Sequence, residues 1–285
     1  MDEPLVVALK ASVAVFMIGN LFAMGLQLNV REALDGLSDR KFVLLSLVAG
    51  FVIGPGIAFL LATLLPISGH YALGLVLLGM APCAPFLPAT VEKARGDMGY
   101  TAAFMLLASL VTVVYMPFAV PLLARGFSAD AWTIAKPLVF LVVTPLVIGL
   151  LLQRAYLEFA GKIHPFVRKA TGLVTIIMLI LCAVVYGEGF VDSVGGFAIG
   201  AQVLFYVLVI AAALVLGHGL PHGQRSVLAL GVCTRNLGAA FAPLFAVAGT
   251  DERAIVMVAL GVPLQTAAAV MLALWLGRRE GVERV

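Results

Sequence analysis

Long apolar runs, each bounded by charges, glycines or prolines, recur nine times along this chain: 5–28, 42–65, 71–91, 98–124, 131–153, 166–187, 197–219, 226–248 and 253–277. A helix that crosses the hydrocarbon of a bilayer needs about 20 mostly apolar residues, and every run is long enough. The connections at Arg31–Lys41, Pro66–His70, Glu92–Asp97, Arg125–Asp130, Arg154–Pro165, Gly187–Gly196, Gly217–Gln224 and Gly249–Glu252 carry the breakers and charges of loops. The pattern predicts an all-α polytopic membrane protein of nine transmembrane helices, forming one transmembrane domain over 1–285.

Composition agrees with that pattern. The chain is 62% hydrophobic and 12% charged, where soluble domains carry about 25% charged residues. A net charge of +3 gives no reason to expect a nucleic-acid partner. Cys83, Cys182 and Cys233 lie in apolar runs with no disulfide or metal spacing, and no cofactor is expected. The opening Met1-Asp2-Glu3-Pro4 is acidic where a signal peptide is basic, so the first run reads as a retained helix.

Charge placement gives the orientation. Thirteen Lys and Arg residues fall on the side of Arg31, Lys93, Arg154 and Arg278, and two, Arg125 and Arg253, on the other. The positive-inside rule puts the first side in the cytoplasm, so the N-terminus is expected outside and the C-terminus inside. The compact loops and the lack of a transit peptide point to a prokaryotic inner membrane, with membrane lipids around the chain. Lys10 and Lys136 lie near the outer face, where their stems can snorkel to the headgroups. Arg235, midway along the eighth run, has no such escape. An arginine at the centre of a spanning helix costs roughly 2.5–3.5 kcal/mol, so it marks a working site facing a cavity or a partner.

Helices 1–4 and 6–9 have similar lengths and begin five spans apart, which makes them candidate inverted repeats. The third member of each set is irregular. Helix 3 contains Pro82, Pro85 and Pro88; helix 8 contains Gly231, Thr234-Arg235-Asn236 and Gly238, followed by Pro243. Proline removes a backbone donor and clashes with the preceding turn. Freed backbone groups at membrane depth are tolerated only inside protein or along a wet cavity. Paired interrupted helices in corresponding halves point to a secondary-transporter binding site; the plain alternative is two packing kinks.

These residues resemble the bile acid:sodium symporter family. Gly79–Asp97, ending Ala94-Arg95-Gly96-Asp97, is similar to the family's fourth-helix motif. Thr234-Arg235-Asn236-Leu237-Gly238 is similar to the ninth-helix motif, and Phe22–Leu28 to an early Met-Gly-Leu-Thr-Leu. The resemblance covers essentially the whole chain, one N-terminal helix short of ten-helix members. It implies two broken crossing helices, 3 and 8, within a core of 42–124 and 197–277, and a panel of 5–28 and 131–187. Substrate would bind in the cleft between core and panel by alternating access.

The departures matter equally. Sodium-coupled members place a carboxylate and a glutamine where this chain has Gly231 and Arg235. A Ser-Asn pair becomes Leu87-Pro88, a glutamine becomes Gly50, and two hydroxyl positions become Thr101 and Met105. Of the ion-binding set, Asn236 and Thr101 remain. The expected function is secondary transport of a small organic anion (a bile-acid-like molecule, a 2-oxo acid or another carboxylate or sulfonate) without the two-sodium site. Arg235 would either draw the anion with its fork of donors or bind carbonyls freed at the crossing.

Asn20 and Gln265 are further polar residues placed to face the cleft, each with an interhelical hydrogen bond as the plain reading. Cys83, at the first break, suggests a metalloid efflux carrier as an alternative, since arsenite carriers of the same superfamily use a cysteine there. A small buried hydrophobe is the plain reading. A non-transporting receptor or scaffold is the other alternative. An intramembrane enzyme would need a Ser-His pair, paired aspartates or a metal site, and the sequence offers none. The candidate substrate residues are therefore Arg235, Asn236, Thr234, Cys83, Asn20 and Gln265.

Overall fold

The computed structural model describes residues 3–124, 130–247 and 249–283, and within them every regular element is a helix. In chain order these are α1 Glu3–Gln27, α2 Val30–Leu37, α3 Arg40–Leu64, α4 Gly69–Met80, α5 Leu87–Lys93, α6 Met98–Leu123 and α7 Ala131–Ala155. There follow α8 Leu157–Val185, α9 Gly187–Gly195, α10 Ala198–Leu216, α11 His222–Cys233, α12 Leu237–Ala246 and α13 Glu252–Glu283. Arg125, most of the 125–130 connection, Ala248, Arg284 and the first two residues lie outside the described residues.

Seven helices among the described residues are long and apolar enough to cross a membrane: α1, α3, α6, α7, α8, α10 and α13. The third and eighth apolar runs each fold as two short helices instead, α4 with α5 and α11 with α12.

Three stretches read as loops are helical. The connection at 154–165 belongs mostly to α8, which starts at Leu157 and continues through Pro165, because proline removes only one donor from the ladder. The 31–41 connection holds α2, started by the Asn29 side chain accepting from the Arg31 amide at 3.1 Å. The 187–196 connection holds α9. In α2 and α9 the charges sit on the outer faces of short helices, with Ala33 and Gly36 buried beneath α2.

Two spans contain a widened turn, at Ala49–Ile53 and at Val139–Val143. Each lies immediately before an X-Pro pair, Gly54-Pro55 and Thr144-Pro145. A proline ring clashes with the carbonyl four residues back, and one extra residue in the turn moves that carbonyl aside. In α7 the Thr144 hydroxyl then donates to the Val139 carbonyl at 3.0 Å.

Helix α1 packs on α7 and α8. Gly25 of α1 lies against the Leu146 carbonyl and Gly149, and Gly149 against the Phe22 carbonyl, so the two backbones touch and a methyl at either glycine would collide. Helix α13 lies on α4, and α10 on α11. At one end of the molecule Asp39 caps α3 through the Phe42 amide at 3.1 Å. It also accepts from Tyr100 Oη at 3.0 Å and from Gln224 Nε2 at 3.2 Å, tying the starts of α3, α6 and α11 together.

Candidate functional site

Helix α4 ends where Pro82 removes a donor, and Cys83 takes a left-handed φ of 74°. Helix α11 ends at Thr234, which is extended, and α12 restarts from Asn236, whose side-chain oxygen accepts from the Ala239 amide at 3.2 Å. The two breaks lie against each other as a short antiparallel pairing of Pro82 with Arg235. The Cys83 amide donates to the carbonyls of Gly231 at 3.1 Å and Thr234 at 2.8 Å, and the Asn236 amide donates to the Ala81 carbonyl at 2.8 Å. Thr234 Oγ1 accepts from the Ala84 amide at 3.2 Å and donates to the Leu230 carbonyl at 2.9 Å. The groups freed by one break are thus satisfied by the other, which removes the cost of orphaned backbone at membrane depth.

Arg235 completes the exchange. Its amide donates to Gln265 Oε1 at 2.6 Å, and its Nη1 donates to the Gly79 carbonyl at 3.2 Å. The guanidinium lies over the Phe205 ring, 4.9 Å from its centre, and is wholly buried. Nε and Nη2 have no protein hydrogen-bond partner, and no carboxylate pairs with the group among the described residues. Room for it comes from Gly54, where a Cβ would stand 3.0 Å from Nη2.

A cavity of about 170 Å³ opens between α1 and the breaks, lined by Asn20, Pro85, Arg235, Asn236, Gly238 and Gln265 together with apolar groups such as Phe16 and Met17. It shares Asn20, Pro85, Phe86 and Thr175 with a second cavity of similar size that reaches His164 and Arg168 on α8. Four of the six candidate substrate residues therefore line one space. Thr234 instead ties the breaks, and Cys83 is buried with its thiol against the Ala84 carbonyl, 3.9 Å away. Thr101 and Pro88 line a separate small cavity, so Thr101 and Asn236 are not brought together there. Pro82 and Gly231 serve the pairing. Sequence reasoning missed Thr175, Thr266, His164 and Arg168, which enter the site only through the packing of α8 and α13; Phe16 and Met17 were hidden as ordinary apolar positions of α1.

The profile of the Sodium Bile acid symporter family matches residues 14–193, which is 180 of 285 positions and includes the first break. The chain belongs to the sodium bile acid symporter family. It is similar to an uncharacterized sodium-dependent transporter, YocS, of Bacillus subtilis (strain 168), with 25% identity over 255 residues, 84% of this chain and 77% of the relative. It is also similar to a probable chloroplastic sodium/metabolite cotransporter, BASS1, of Arabidopsis thaliana, with 24% identity over 170 residues, 59% of this chain and 41% of the relative. Family and relatives are transporters, not enzymes, and this symporter-family member is an integral, multi-pass membrane protein with a small-molecule substrate. The matched profile ends before Arg235, so the family assignment does not rest on the second break.

Proposed function

We propose that this protein carries a small organic anion by alternating access, without the two-sodium site that the family resemblance implies. The observation that carries the reading is the wholly buried Arg235, set at the paired breaks on the Gly79 carbonyl with no acidic partner among the described residues. A fixed guanidinium supplies the positive charge that bound sodium would otherwise bring, so an anion entering the adjoining cavity meets a compensated site. The N-terminus of α12, at Leu237 and Gly238 on the cavity wall, adds positive potential. Arg168 in the connected cavity favours the same sign of ligand. The buried thiols of Cys83 and Cys233 are absent from the cavity walls among the described residues, which favours an anion over a metalloid.

In this reading the α4–α5 and α11–α12 pairs complete nine spans and belong to inverted repeats. The core of 42–124 and 197–277 moves against the panel of 5–28 and 131–187. The N-terminus faces outward and the C-terminus the cytoplasm of a prokaryotic inner membrane.

The test is the sign of the membrane-potential effect in proteoliposomes. A monoanion moving alone carries −1, so an interior-positive potential should accelerate uptake, equally in sodium and potassium media. One monoanion with two sodium ions carries +1, so acceleration by an interior-negative potential, present only in sodium, would sink the proposal. Taurocholate and pyruvate serve as contrasting anionic substrates.

A further inference from the structure

We propose that the groove between α10 and α13 is a binding site for an anionic phospholipid, with the acyl chain in the groove and the phosphate at Arg225 and Arg279. The groove has a volume of about 410 Å³ and is walled by Val203, Tyr206 and Leu214 of α10 and Ala267, Leu272 and Trp275 of α13. That volume falls within the roughly 300–1,000 Å³ of small-molecule sites, and the wall is almost entirely apolar. Both helices are among the spans, so the occupant has to come from the bilayer.

Positive charge is held beside the groove through two of its wall residues. Leu214 and Trp275 are the wall residues nearest the ends of their helices, and each carries an arginine. Arg225 Nη2 donates to the Leu214 carbonyl at 3.3 Å, while its buried Nε has no hydrogen-bond partner among the described residues. The Arg279 guanidinium stacks on the Trp275 ring, 4.0 Å from its centre. Indole stacking holds a guanidinium flat while leaving its edge donors for a phosphate. An apolar trough with one guanidinium held beside a wall residue of each helix matches a lipid with a negative head. A zwitterionic lipid carries its own ammonium and is a poorer match. Basic groups close to a membrane surface favour anionic lipid. The groove shares no lining residue with the cavity at the breaks, and its wall residue Tyr206 adjoins Phe205, over which the Arg235 guanidinium lies.

The experiment is native mass spectrometry of the purified full-length protein titrated with phosphatidylglycerol or phosphatidylcholine of matched chains. Phosphatidylglycerol is expected to bind roughly tenfold or more tightly than phosphatidylcholine. Arg225→Gln with Arg279→Gln should bring that ratio near one. Arg225→Lys with Arg279→Lys should keep most of it. Ala267 is exposed, so Ala267→Phe fills the groove from outside and should weaken both lipids. Equal binding of the two lipids by the wild type would overturn the proposal, as would full discrimination in the double glutamine variant. So would inorganic phosphate displacing the head while both lipids bind alike. Circular dichroism on each variant guards against loss of fold, and the lysine pair carries the test if the glutamine pair does not fold.

Discussion

Arg235 donates its Nη1–H to the Gly79 carbonyl, while the Cys83 amide, which an unbroken α4 would have aimed at Gly79, donates to Gly231. Gly79 and Cys83 lie 152 positions before Gly231 and Arg235. Each glycine carbonyl has thus exchanged its own partner four residues on for a donor at the equivalent place in the other break. On one side that donor is an amide. On the other it is a full positive charge, because the Arg235 amide has gone to Gln265.

A charge buried without an acidic partner destabilises its surroundings by several kcal/mol. Arg235→Met removes the charge and keeps an apolar stem over Phe205. Its melting temperature should equal or exceed that of the wild type, while anion uptake in proteoliposomes should collapse. Lower stability with intact uptake would assign the arginine a purely structural role.

Gly54 and Gly56 make a controlled pair on α3. A Cβ at Gly54 would meet the Arg235 guanidinium at 3.0 Å and 3.2 Å, whereas one at Gly56 meets nothing within 4 Å. Gly54→Ala should cost about 1–3 kcal/mol by overpacking and reduce uptake by displacing the guanidinium. Gly56→Ala should be neutral, or stabilising by up to about 1 kcal/mol as a helical glycine is replaced. Thermal unfolding in detergent and uptake rates separate the two.

Much of this site was legible because its signals are local. Three prolines within seven residues, and a lone arginine beside Asn236, mark breaks whatever surrounds them. The turn at Ala49–Ile53 was not legible, although Gly54-Pro55 sits in plain view, because a proline can equally kink a helix. Nor were Phe205 and Gly54 readable as the walls of the Arg235 site, since one aromatic and one glycine among many carry no mark of where α10 and α3 will pack. His164 fell in the predicted 154–165 connection and Arg168 at the start of the sixth run; the extension of α8 back to Leu157 puts both on one helix beside the cavity. The helices α2 and α9 were masked by charges and glycines that read as turns.

Asp39, itself outside the membrane-spanning segments, links the starts of α3, α6 and α11, and its carboxyl is held below the ordinary carboxylate value chiefly by the Phe42 amide, with Tyr100 and Gln224 adding donors. A group depressed on folding contributes stability above its unfolded value of about 3.9 and loses it as pH falls through the folded value. The wild type should therefore weaken as pH drops below about 5. Asp39→Asn should be less stable near neutrality and show a shallower acid limb. Melting temperatures of both proteins across that range provide the check; parallel curves would mean that Asp39 contributes nothing to the pH dependence.

Cys83 offers the sharpest separation between organic anion and metalloid as cargo. Its φ of 74° is a conformation that suits glycine and costs other residues roughly 1–2 kcal/mol. Cys83→Gly relieves that strain but removes a buried side chain, at a cost of the same order. The two effects oppose each other, so stability should move by no more than about 1 kcal/mol. The amide that reaches Gly231 and Thr234 is retained, so the pairing of the breaks survives. Anion uptake should then stay near the wild-type rate, because the thiol is turned toward the Ala84 carbonyl and is not among the residues lining the cavity. A folded Cys83→Gly protein that no longer transports carboxylates would mean the thiol works in the cycle. Arsenite uptake by the wild type, lost in that variant, would move the cargo to thiophilic metalloids.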